Sequence, residues 1–187
     1  MEKQSKLSKS ILGVAVVTML LLMVPLVAMQ FTTEVNWSIS DFIVMGALLF
    51  STGLSFVLVI RFATNMVNKL AMVGAFGTTF FMIWANLAVG LIGSGANLGN
   101  LMYIGVVTLV IITSLRGRFT ASGMERAMNV TTIALVVVAV IELFANIPGT
   151  SVFEILAVNG FFAAAYAISG SLFRFAAQEQ SHEKSNG

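Results

Sequence analysis

The sequence predicts an all-α membrane bundle of six transmembrane helices with both termini cytoplasmic, and three observations lead there. Apolar residues make up 58% of the 187-residue chain and charged residues 10%, with a mean hydropathy of +0.96, whereas a soluble domain carries roughly 25% charged residues. The few charges are separated by long uncharged stretches. The basic ones fall at every second connection between those stretches. This composition excludes a soluble enzyme, a disordered chain and a nucleic-acid-binding domain, so no nucleic-acid partner is expected. The chain has no cysteine, which removes disulfides, thiolate metal ligands and a cysteine nucleophile.

A charge at the bilayer centre costs about 2.5–3.5 kcal/mol, so uncharged stretches measure crossings. Between Lys9 and Glu34 lie 24 such residues, giving span one at 11–29. The run is long for a cleaved signal, and Val24–Met29 offers no good small-x-small site, so it is expected to be retained. Pro25 is expected to kink or end its helix. The 19 uncharged residues between Asp41 and Arg61 give span two at 42–60. The next stretch, from Lys69 to Arg116, has 46. As one helix it would be roughly 69 Å long at 1.5 Å per residue, more than twice the ~30 Å hydrocarbon core. It must fold back, and the run from Gly93 to Asn100, rich in glycine and asparagine, is the place.

Spans three and four are therefore 70–92 and 101–115, the latter short enough for a tilted or partial crossing. The 15 residues between Arg126 and Glu142 and the 19 between Glu154 and Arg174 give spans five and six at 127–145 and 152–173. Residues 1–10 and 175–187 are short polar tails, too small to be domains. With the amino terminus inside, Lys3, Lys6, Lys9, Arg61, Lys69, Arg116, Arg118, Arg126, Arg174 and Lys184 all lie on the cytoplasmic side, as basic residues prefer. Glu34, Asp41, Glu142 and Glu154 fall on the other.

Apolar burial does not drive helices together in lipid, so small residues mark the expected contacts. Ala163, Ala167 and Ser171 on span six recur at helical spacing, with Gly160, Ala164 and Gly170 nearby. Ala47, Ser51 and Ser55 do the same on span two, with Gly46 and Gly53. Such seams serve packing within the chain, a homo-oligomer or another membrane protein. Membrane lipids are the remaining expected partners.

Polar residues inside spans are functional candidates. Asp41, Asn86, Glu142, Asn146, Glu154 and Asn159 all fall in the outer half, so they form a candidate polar cluster facing an outer pocket. Glu142 has no basic residue on its side, so it is expected to be partly protonated or to touch an aqueous cavity. The plainer alternative is that the asparagines bond across packed helices, while Asp41 and Glu154 favour helix dipoles. Trp37 and Tyr103 fit an interfacial aromatic belt. No catalytic, metal or cofactor constellation is present. His182 is the only histidine, and Gly93-x-Gly95-x-x-x-Gly99 has the wrong spacing for a phosphate loop and no lysine. An enzyme is not expected. The two readings of function are an integral membrane protein that binds or passes a small molecule or ion through the polar cluster, and an accessory or structural subunit acting through helix packing.

Several stretches carry a resemblance: Phe31-Thr32-Thr33-Glu34-Val35-Asn36-Trp37 running into Asp41-Phe42, Trp84-Ala85-Asn86-Leu87-Ala88-Val89-Gly90-Leu91-Ile92-Gly93-Ser94, Asn100-Leu101-Met102-Tyr103, Gly123-Met124-Glu125-Arg126-Ala127 and Asn159-Gly160-Phe161-Phe162-Ala163-Ala164. Together, over most of the chain, they resemble a family of small uncharacterised bacterial inner-membrane proteins. The resemblance implies a bacterial plasma-membrane helical bundle and adds no catalytic residues. Residues 95–99 are uncharged here, where the family's loop carries acidic residues and a proline.

Overall fold

In the computed structural model, the described backbone covers residues 2–63, 65–93, 97, 99–145 and 150–185, and the described side chains cover 7–57, 63, 65–93, 97, 99–145 and 150–182. Six helices follow one another: α1 (Glu2–Phe31), α2 (Ile39–Phe62), α3 (Met66–Ala88), α4 (Asn100–Arg116), α5 (Ala121–Ala145) and α6 (Val152–Ser185). All except α4 are long and apolar enough to cross a membrane, as expected of a multi-pass membrane protein. Helix α4, at 17 residues, is roughly 26 Å long.

The chain divides into two units, 1–62 and 63–187. The first is the α1–α2 hairpin. Helix α1 runs through Pro25 and continues to Phe31, so the proline does not end it. Near a helix end, the lost N–H and the ring clash disturb only the last turns. The start of α2 is fixed by a capping box: Ser38 N–H and its hydroxyl both donate to Asp41 Oδ2 at 2.7 Å, and Asp41 N–H returns a bond to Ser38 Oγ at 3.3 Å. Trp37 and Phe42 close over it with ring centroids 5.2 Å apart, the hydrophobic staple that accompanies such a box. Asp41 thus acts as a helix cap.

The second unit joins α3 to α4, α4 to α5, α5 to α6 and α6 back to α3, an up-down-up-down four-helix arrangement. The most extensive interface is α5 on α6. On α5 the buried positions include 121, 124, 128, 131, 135, 138 and 142, with 127 and 139 beside them; on α6 they include 155, 159, 162, 166, 169, 173 and 176, with 170 beside them. Both series alternate steps of three and four, the spacing that keeps one seam facing a partner helix. The α6 seam therefore runs through Phe162, Tyr166, Ser169, Gly170 and Phe173. Ala163 and Ala167 flank it and Ser171 is exposed, which displaces the expected small-residue stripe to the side of the real contact. Gly170 does belong to the seam. Tyr166, fully buried, shares a 2.8 Å hydrogen bond with Thr79 of α3. Phe81 of α3 meets Phe162 of α6 at 5.8 Å.

The polar carboxyl end is helical. Helix α6 has 34 residues, roughly 51 Å, so it outruns a bilayer core by several turns. Asn65 ties this extension to α3. Its Oδ1 caps the helix by accepting from Asn68 N–H at 2.8 Å, and its Nδ2 donates to Glu179 Oε2 at 2.6 Å.

Candidate functional site

Antiparallel α4, α5 and α6 bring the first turn of α4, the last turn of α5 and the second turn of α6 to one end of the four-helix unit. Three polar side chains meet there. Glu142 is 1% exposed, Tyr103 1% and Asn159 2%. Tyr103 Oη lies 3.1 Å from Glu142 Oε1 and 3.2 Å from Asn159 Oδ1. Asn159 Nδ2 donates to Glu142 Oε2 at 2.8 Å and to the Ile155 carbonyl at 3.0 Å. The three groups form a closed triangle of hydrogen bonds, with one corner on each helix. A buried polar group without such partners would cost about 1–3 kcal/mol.

This triangle brings together two members of the sequence-derived cluster, Glu142 and Asn159. Tyr103 is its third corner, so it does not sit in an interfacial belt; its ring is core. A tyrosine near a helix end resembles an interfacial anchor in sequence. The signal that distinguishes it is topological, because the first turn of α4 and the last turn of α5 share an end. Glu154 is exposed in the first turn of α6, with its N–H on Ser151 Oγ at 3.1 Å. Asp41 belongs to the other unit. Asn146 lies outside the described residues.

Asn86 stands in the last turn of α3, since that helix ends at Ala88 rather than at 92, and it serves the link to α4. Its Nδ2 donates to the Asn100 carbonyl at 3.3 Å, while its buried Oδ1 has no partner among the described residues. Asn100 Oδ1 in turn accepts from the N–H groups of Leu91 and Ile92 at 2.8 and 2.9 Å. Gly90 and Gly93 hold φ of 74° and 60°, the left-handed region that glycine enters without a Cβ clash. Replacing Asn100 by leucine strands two backbone donors at about 1–3 kcal/mol each. The expected result is faster amide exchange confined to residues 89–93 in hydrogen-exchange mass spectrometry, with α5 and α6 unchanged.

Among the described residues no three His, Cys, Asp or Glu side chains gather to hold a metal ion. No family model, curated protein or solved structure matches the chain.

Proposed function

We propose that this chain is a six-span bacterial inner-membrane protein with cytoplasmic termini, a member of the small family its motifs resemble, and that it binds or passes a small ion through the Tyr103–Glu142–Asn159 centre. The observation that carries the reading is a carboxyl group buried between apolar helices with hydroxyl and amide partners and, among the described residues, no cation in its hydrogen bonds. Ionisable groups inside membrane helices are costly and are retained where they handle ions or protons. The basic residues, gathered at alternate connections, support the orientation.

The test is ion flux in proteoliposomes of purified protein, with proton, Na⁺ and K⁺ gradients imposed in turn. Wild type is expected to relax at least one gradient faster than protein-free vesicles. Glu142→Gln is expected to abolish that excess at unchanged protein abundance. Equal rates with and without protein for all three gradients would overturn the reading.

A second reading, an accessory subunit, draws on one observation. Gly160, Ala164 and Ser171 are exposed on α6, away from the internal seam, leaving a small-residue face of the kind membrane helices use to approach each other. Its mark is a stable co-purifying membrane protein that Ala164→Leu displaces.

A further inference from the structure

We infer that the ion held at this centre is a proton, bound to Glu142 as a neutral carboxylic acid and located by the hydrogen-bond triangle itself. This rests on the ion-site reading above and names the ion.

The Ile155 carbonyl only accepts, so the Asn159 atom 3.0 Å from it is the amide nitrogen, and Oδ1 must face Tyr103. The two amide hydrogens go to Ile155 O and Glu142 Oε2. One hydrogen remains, on Tyr103 Oη, and two acceptors wait for it: Asn159 Oδ1 at 3.2 Å and Glu142 Oε1 at 3.1 Å. An ionised Glu142 accepts it, and Asn159 Oδ1 is then left buried with no donor among the described residues. A protonated Glu142 resolves this: Oε1–H donates to Tyr103 Oη, Tyr103 O–H donates to Asn159 Oδ1, and Asn159 N–H donates to Oε2. All three edges are filled, each group giving one hydrogen around the ring and accepting one.

The surroundings agree. Among the described residues, Tyr103 from α4 and Asn159 from α6 are the groups bonded to the carboxyl, and neither is a cation. The other acid at this end, Glu154, is exposed. An unpaired carboxylate in apolar surroundings carries a desolvation cost that a neutral acid avoids. On release, the proton leaves Oε1, the Tyr103 hydroxyl turns from Asn159 to Oε1, and Asn159 Oδ1 loses its donor. Proton occupancy is thereby coupled to the bond between α4 and α6.

Infrared spectroscopy of the purified full chain at neutral pH tests this. Of eight acidic residues, Glu142 is the one within this buried ring. A protonated carboxylic C=O band is expected in wild type, shifted by ¹³C-glutamate labelling and by D₂O, and lost in Glu142→Gln. If Glu142→Gln fails to accumulate, Tyr103→Phe gives a second readout: the band persists but moves, because the acid proton has lost its acceptor. A labelled wild type with carboxylate bands only would overturn the inference. That outcome leaves flux of another cation possible, whereas absent flux with the acid band present overturns the transport reading and leaves the bound proton standing.

Discussion

Asn159→Leu is expected to weaken the four-helix unit more than any other single change at the buried triangle. Asn159 gives hydrogens to two acceptors on different helices and receives one from a third. Leucine of similar volume removes all of these and leaves Glu142 Oε2 and the Tyr103 hydroxyl facing a methyl group. Interhelical hydrogen bonds in membranes average about 0.6 kcal/mol and reach ~1.7, and stranding buried partners costs about 1–3 kcal/mol. A total loss of about 2 kcal/mol or more is expected in denaturant titration of the protein in mixed micelles. Tyr103→Phe should cost less, because the Asn159–Glu142 bond survives it. Glu142→Gln should cost least, since an amide keeps the shape of the neutral acid. An Asn159→Leu variant as stable as wild type would show that the triangle holds nothing together.

Gly123→Ala is expected to be the most damaging change outside the triangle. Helices α4 and α5 are joined by a tight link in which Gly117 and Gly123 touch through their backbones. A Cβ on Gly123 would meet Gly117 Cα at 2.6 Å, and one on Gly117 would meet Gly123 Cα at 2.8 Å. Both obstacles are backbone, so no side chain can swing away. The link between them is already constrained, with Arg118 and Phe119 at φ of 50° and 53°, where a Cβ is unfavourable by about 1–2 kcal/mol. Relief requires α4 and α5 to separate at this end. Overpacking typically costs about 1–3 kcal/mol, and Gly123→Ala is expected at or above the top of that range. The measurement is the same unfolding titration, with Gly77→Ala as the control, because a Cβ there meets nothing within 4 Å. Equal stability of the two variants would count against the close approach.

The helices were legible because a charge in lipid is expensive: five uncharged stretches, the longest folded back on itself, give six spans that fall one on each of α1 to α6, with ends agreeing to within four residues except at the starts of α1 and α5 and the end of α6. The exceptions have physical causes. Helix α5 begins at Ala121, ahead of Arg126, because a charged turn can extend an apolar helix once Thr120 supplies the cap: its hydroxyl accepts from Gly123 N–H at 3.2 Å. The polar end of α6 also stays helical, supported by Asn65 on Glu179. The packing seams were not legible. In a soluble bundle the buried stripe is apolar and the rest polar, but here Val136, Val137 and Ile141 on the outer face of α5 are as apolar as the buried Leu135. Residue size and hydrogen-bonding capacity carry the information instead, as at Thr131, Ser169 and Gly170. Glu142 and Asn159 stood out for that reason. Tyr103 did not, because an aromatic ring near a helix end has two common explanations.

The division at residue 62 has a consequence for biogenesis. The extensive contacts of α1 are made with α2, the next segment to leave the ribosome, so this pair can form its partnership while the rest of the polypeptide is still being made. Genetically severing the chain between Phe62 and Ala63 and producing the halves side by side should therefore leave each fragment inserted and protease-resistant. A cut between α5 and α6 would split the two helices that share the most extensive contact, and neither product should survive.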